Sequence, residues 1–256
     1  MTDADATPAP RDRALITGSG RGIGADTAVL LARHGFDVVV NYRDEKKARR
    51  AEAVAQKVRD AGGQALVVRA DLTDDASVEA MFREVSSAWG GLDLLVLNAS
   101  GGMEAGAAED YALQLNRDAQ VRVLEAAVPL MDSGSRVVFV TSHQAHFIRS
   151  TPTMPEYEPV ARSKRAGEDA LRERVPALTE RGIGFVVVSG DMIEGTVTAQ
   201  LLNRANPGAL DARREAAGRL YSVQEFAQEI TAAALEDIPV GHLRLVGDVS
   251  SFGPID

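Results

Sequence analysis

The sequence predicts an α/β fold: a Rossmann-type, doubly wound parallel sheet in a single domain. Three observations predict it. Short β-branched runs alternate with longer amphipathic stretches along the whole chain, the pattern of strand–helix–strand units with right-handed crossovers. Runs such as Phe36–Val40 and Leu92–Leu97 are apolar almost throughout, as strands buried on both faces are. The first run breaks into a glycine-rich loop that opens an amphipathic stretch from Ile23, the context in which such a loop binds a pyrophosphate.

Taken in order, strands are expected at Ala14–Thr17, Asp37–Asn41, Ala65–Arg69, Leu92–Leu97, Ser135–Thr141, Gly184–Ser189 and Leu243–Val246. Each is a short run rich in Val, Ile or Leu between polar or glycine-containing segments. Helical periodicity fills the intervals at Ile23–His34, Glu45–Ala61, Asp75–Trp89, Glu109–Met131, Val160–Arg181 and Ser222–Leu235. No repeat, low-complexity block or linker divides the chain, so residues 12–256 are expected to form one domain. Residues 1–11, polar and rich in Pro, Ala and Asp, read as a disordered tail without the apolar segment of a signal peptide.

The 256 residues are 45% hydrophobic and 25% charged, enough for one well-filled core. Lys and Arg number 28 against 37 Asp and Glu, a formal net charge of -9. That balance argues against nucleic acid or an anionic membrane as partner, since both need a concentrated basic surface. Without cysteine there is no disulfide, thiolate metal site or thiol nucleophile. No apolar run approaches the ~20 residues of a membrane helix, and a cytoplasmic protein acting on a small molecule is expected.

In a doubly wound sheet, ligands sit beyond the carboxyl ends of the strands. After the first strand, Gly18, Ser19, Arg21, Gly22, Ile23 and Gly24 form the loop. Its glycines permit positive φ and close backbone approach, and the following helix N-terminus offers free N–H groups. After the second come Asn41, Tyr42 and Arg43. An acid there would bind the adenine ribose 2′-hydroxyl and repel a 2′-phosphate. Asn41 stands in that place, and Arg43 and Arg21 supply guanidinium groups suited to a phosphate, with Asp44 able to blunt Arg43. NADP(H) is therefore expected over NAD(H). Asp71 and Leu72 follow the third strand, where the carboxylate can meet an adenine amino group or cap the next helix. Asn98 opens the small-residue segment Asn98-Ala99-Ser100-Gly101-Gly102 after the fourth.

These residues resemble the short-chain dehydrogenase/reductase family over nearly the whole chain. Thr17-Gly18-Ser19-Gly20-Arg21-Gly22-Ile23-Gly24 matches its T-G-x-x-x-G-x-G motif, Asp71 the acid after its third strand, and Asn98-Ala99 the start of its N-A-G motif, with Ser100 in place of the glycine. The resemblance implies hydride transfer with a nicotinamide cofactor and a catalytic Asn, Ser, Tyr and Lys. Asn116 looks like the helix asparagine that holds a water, and Ser142 like the serine that orients substrate. Lys164, in Ala161-Arg162-Ser163-Lys164-Arg165-Ala166, looks like the lysine that also binds the nicotinamide ribose. Thr196 resembles the residue that meets the carboxamide, with Ser189 in place of the family's proline.

The family's Tyr-x-x-x-Lys is broken. Val160 stands four residues before Lys164, and valine can neither donate a proton nor hydrogen-bond an alkoxide. Tyr157, seven residues before the lysine, lies on nearly the same helical face about 10 Å away along the axis. This Tyr-x6-Lys spacing is similar to that of the enoyl-acyl-carrier-protein reductase branch, which usually has a different glycine loop. Pro159 suits a first helical turn and pushes Glu158 from helical torsions, which would leave Tyr157 just ahead of the helix. Between Ser142 and Tyr157 the segment carrying His143, His146, Arg149, Pro152 and Pro155 is longer than the family norm, so the substrate wall is expected to be rebuilt. Residues 196–221 are expected to cover the substrate.

Three readings follow. The chain reduces a carbonyl with Ser142, Tyr157 and Lys164; or it reduces an activated C=C bond with the same pair; or it binds NADP(H) without catalysis. The resemblance also implies a homodimer or homotetramer through the helices over 109–131 and 160–181.

Overall fold

Seven parallel strands form one sheet in the order β3-β2-β1-β4-β5-β6-β7. The computed structural model describes residues 11–104, 106 and 108–252, and the tail expected at residues 1–11 otherwise falls outside them. The strands are β1 (Asp12–Ile16), β2 (Phe36–Tyr42), β3 (Ala65–Arg69), β4 (Leu94–Leu97), β5 (Arg136–Ser142), β6 (Gly184–Gly190) and β7 (Leu243–Val246). The helices are α1 (Gly22–Arg33), α2 (Ala48–Asp60), α3 (Asp75–Trp89), α4 (Tyr111–Leu113), α5 (Ala119–Ala127), α6 (His143–His146), α7 (Glu158–Arg172), α8 (Val175–Glu180), α9 (Val197–Ala205), α10 (Ala209–Ala217) and α11 (Val223–Leu235). The single-domain doubly wound architecture expected from the sequence is the one observed.

Alternation within the strands explains why both faces are covered. In β5, Val137 and Phe139 pack with Val123, Leu124 and Leu171 on one side, whereas Val138 and Val140 pack with α1 and α11 on the other. Successive side chains point to opposite faces, so apolar residues at consecutive positions need helices on both. Truncating one such residue, for example Leu95, costs about 2–5 kcal/mol through lost burial and the cavity left behind.

Two expected helices differ from the observed ones. The stretch over 160–181 is split into α7 and α8, because Pro176 has no N–H to continue a helix and starts the second one instead. The stretch over 109–131 begins at Tyr111 and is interrupted by a π-helical turn, Gln114–Asp118, before α5. This turn presses against α7 so closely that a Cβ on Gly167 would lie 2.0 Å from the Asn116 carbonyl oxygen. Only glycine fits there.

The strand order reverses between β1 and β4, and the ends of these strands define the crevice where ligands bind in such sheets. Among the described residues, no helix is long and apolar enough to cross a membrane.

Candidate active site

One cavity of about 480 Å³ runs across the carboxyl ends of the strands, from Gly18 and Arg21 through Asn98 to Ser142, Tyr157 and Lys164. Its floor at one end is the glycine loop. Gly18 and Gly22 take φ of 65° and 58°, and a Cβ on Gly24 would sit 2.6 Å from Asn98 Nδ2. Thr17 ties the loop to β4: its Oγ1 accepts from the N–H groups of Asn98 and Ala99, and Asn98 Nδ2 donates to its carbonyl. Arg21, the N-cap of α1, makes no side-chain capping bond, and no acid occupies the first turn. The N–H groups and partial positive charge of this helix end therefore face the cavity free for an anion.

Asn41 lines the cavity and also braces the glycine loop. Its side chain is buried and accepts from Gly18 N–H at 3.0 Å, its N–H donates to Ser19 Oγ, and its amide reaches the Val68 and Ala70 carbonyls. It shapes the loop, leaving no acid at the ribose position. Arg43 reaches across the cavity mouth to Tyr111, donating to its hydroxyl with the guanidinium 5.7 Å from the ring centroid. Asp44 accepts from Lys46 N–H instead of neutralising Arg43. Lys47 and Arg50 line the same mouth; they were not singled out in the sequence, although the basic run Lys46-Lys47-Ala48-Arg49-Arg50 was a visible signal. Arg21, Arg43, Lys47 and Arg50 together make this end cationic in a chain of net charge -9.

Asp71 folds one carboxylate oxygen onto the Thr73 N–H and hydroxyl, while Asp74 caps α3. Leu72 is buried beside it and lines the cavity. Thr196 caps α9, donating to the Ile193 carbonyl and accepting from Ala199 N–H, so one lone pair of its hydroxyl stays open to the cavity it lines. Ile23 lines the cavity as well.

At the other end, Ser142 closes β5 and caps α6, its Oγ accepting from Ala145 N–H at 3.3 Å. The Tyr157 hydroxyl lies 3.2 Å from Ser142 Oγ. Tyr157 is the N-cap of α7, with Pro159 in the first turn, and it is buried. Burial pushes its phenol above the ordinary value, and the Ser142 hydrogen bond opposes that rise. Val160 is buried in the apolar cluster with Ala161, Met192 and Leu202 and is not part of the cavity wall. Lys164 lines the cavity, and desolvation lowers its pKa to about 8.

Asn116 does not line the cavity. It sits on the π turn, where its Nδ2 donates to the Gly101 carbonyl and to Ser163 Oγ at 2.9 Å each. His143 is fully buried, its Nδ1 2.9 Å from Ser189 Oγ, and burial lowers its pKa to about 4. His146 pairs with the buried Glu168 away from the cavity. Neither histidine therefore stands beside Tyr157 as an acid or base. Among the described residues no group of three His, Cys, Asp or Glu could hold a metal.

Sequence reasoning also missed the anchoring of the cover, formed by α9 and α10. Arg213 on α10 makes a fork to both oxygens of the buried Asp191 at 2.9 Å and reaches Asp248. Its guanidinium lies 5.1 Å from the Phe252 ring centroid. No spacing rule joins residues 22 apart across a loop.

The glycine cradle and the uncapped helix end fit a dinucleotide. Residues 12–207 match the family model described as short chain dehydrogenase. A 1-cyclohexenylcarbonyl-CoA reductase of Streptomyces collinus is 34% identical over 230 residues, covering 86% of this chain and 79% of that protein. The hydroxynaphthalene reductase arp2 of Aspergillus fumigatus is 36% identical over 135 residues, about half of each chain. Among solved structures, a short chain dehydrogenase from Burkholderia cenocepacia in complex with NADP has a TM-score of 0.74 at 28% identity, covering 92% of this chain and 95% of that one. An angucycline C-6 ketoreductase with bound NADP has a TM-score of 0.72 at 26% identity, covering 88% and 89%. These relatives support a nicotinamide cofactor, and by its fold, its motifs and these matches the chain belongs to the short-chain dehydrogenase family.

Proposed function

We propose that the chain is an NADP(H)-dependent reductase of a small-molecule carbonyl, with Ser142, Tyr157 and Lys164 as its catalytic residues. The observation that carries this reading is the 3.2 Å approach of the Tyr157 hydroxyl to Ser142 Oγ at the cavity wall. The loop of Gly18, Arg21, Gly22, Ile23 and Gly24 would hold the pyrophosphate; Arg43, Lys47 and Arg50 the 2′-phosphate; Asp71 and Leu72 the adenine; and Lys164, Asn98 and Thr196 the nicotinamide half. When bound, the cofactor supplies the hydride for the carbonyl carbon.

Ser142 Oγ–H is placed to hydrogen-bond the carbonyl oxygen, whose negative charge grows in the transition state. Tyr157, kept protonated by burial, donates its proton to that oxygen. A cation favours the phenolate left behind, and Lys164, seven residues along α7, is the cation of this wall. Asn116 and Ser163 fasten α7 to the π turn and so fix the lysine's position. The angucycline ketoreductase and hydroxynaphthalene reductase names support a cyclic or aromatic ketone.

Reduction of an activated C=C bond is the second reading, favoured by the Tyr157–Lys164 interval and by the cyclohexenylcarbonyl-CoA reductase relative. NADPH oxidation measured with saturated ketones and with matching enones separates the two. Turnover of the ketones, lost in Tyr157→Phe, is expected. Tight NADPH binding with no oxidation by either set would point to a non-catalytic binding protein.

A further inference from the structure

Beyond Tyr157 the cavity wall is mostly apolar: Met192, Val197, Ala199 and Leu202 line it, backed by Met103, Met154, Leu210 and Leu220. Its carboxylate Asp191 is already engaged by Arg213, and Glu104, which lines the same cavity, accepts from Gly102 N–H. Such a wall favours a substrate that presents it an apolar face, because a charge set against these side chains would be desolvated without a partner. Gln144 brings an amide to this wall. It lies two residues past Ser142, on the first turn of α6, and lines the same cavity. Thr153 Oγ1 donates to Gln144 Oε1 at 2.8 Å, which fixes the amide and leaves the two Nε2 donors without a partner among the described residues. Thr153 belongs to the long segment between Ser142 and Tyr157. The segment that carries the displaced tyrosine thus also orients this amide.

We propose that Gln144 is a specificity-determining residue, donating a hydrogen bond to an acceptor oxygen carried by an otherwise apolar, uncharged ketone in addition to its reacting carbonyl. The proposal rests on the carbonyl-reductase reading and deepens it. The physical basis is asymmetry: an amide that finds its acceptor contributes a hydrogen bond, whereas a substrate lacking the acceptor desolvates the amide for nothing.

The test uses 1-tetralone and a series of ring-hydroxylated 1-tetralones with the wild-type chain, Gln144→Leu and Thr153→Val. Two readouts are taken: NADPH oxidation, and ketone binding to the NADPH-loaded protein followed by nicotinamide fluorescence. We expect the best hydroxylated member to exceed 1-tetralone in kcat/KM and affinity by about tenfold, the worth of one hydrogen bond. Gln144→Leu should collapse that ratio toward one, and Thr153→Val should reduce it partway. A ratio of one in the wild type, or an unchanged ratio in Gln144→Leu, overturns the proposal. Preferential binding that depends on Gln144 without any turnover would uphold the role of Gln144 and overturn the reductase reading instead.

Discussion

Tyr157 and Ser142 meet hydroxyl to hydroxyl at 3.2 Å, although Tyr157 stands three residues ahead of the position its family reserves for tyrosine. Tyr157 caps α7, its carbonyl accepting from Ala161 N–H at 2.8 Å, so its side chain leaves from the very start of the helix. Its ring comes to the cavity wall from beyond the helix end, while Val160 turns into the apolar cluster. Replacing Tyr157 by Phe is expected to lower kcat by about 10²–10⁴, the usual contribution of a positioned acid, with NADPH affinity retained. Adding Val160→Tyr to that variant should not restore activity. Val160 is buried within the apolar cluster, so a phenol there would overpack it. Restored turnover in the double variant would show that the family register is still usable.

Cofactor choice should reside in the cationic mouth. Replacing Arg43 and Arg50 together by Ala should raise the KM for NADPH by about 10²–10⁴-fold, since charge-assisted bonds contribute about 1.5–3 kcal/mol each. The KM for NADH should stay within about twofold, because the rest of the cofactor is held elsewhere. An equal loss for both cofactors would remove these residues from phosphate recognition.

Lys164 carries a stability consequence opposite to its catalytic one. Its pKa is about 8 in the folded chain against 10.5 when exposed, so the unfolded state binds more protons between those values. Stability should therefore rise as pH climbs from 8 to 10.5 and should be lowered throughout the range below 8. The cost there is on the order of 3 kcal/mol. Lys164→Met is predicted to raise Tm at pH 7 while abolishing turnover. Wild-type affinity for NADPH should weaken as pH rises through 8 and the charge is lost. A lower Tm for Lys164→Met would contradict the burial cost.

His143 works in the acid range. With a folded pKa near 4 and an ordinary value of 6.5, it contributes stability that is intact above 6.5 and lost as pH falls toward 4, on the order of 3 kcal/mol in all. Urea unfolding of His143→Gln should show a flatter decline over that window than the wild type. Parallel curves would place the acid sensitivity elsewhere.

The Arg213–Asp191 fork holds the cover. Arg213→Met leaves the buried Asp191 uncompensated and should cost about 3–5 kcal/mol. Adding Asp191→Asn should recover a large part of that loss, which urea titration of the single and double variants can measure. Strictly additive losses would show that the two side chains do not act as a pair.

By itself the sequence determined the doubly wound sheet, because strand and helix periodicities and buried apolar runs are local properties of the chain. It determined the glycine loop for the same reason: positive φ at Gly18 and Gly22 is written in the residue type. The helix break before α8 was equally local, since Pro176 carries it, yet the apolar periodicity on either side concealed it. What only the tertiary structure decided was which side chains are occupied by other parts of the protein. Asn41 stands at the ribose position in sequence, and its side chain is also engaged by Gly18, Val68 and Ala70. His143 and Asp191 are sealed by Ser189 and Arg213, partners 46 and 22 residues away. The meeting of Tyr157 with Ser142 likewise depends on how a 14-residue segment folds back between them. Hydrogen bonds and ion pairs are short-ranged contacts between distant residues, and spacing along the chain does not encode them.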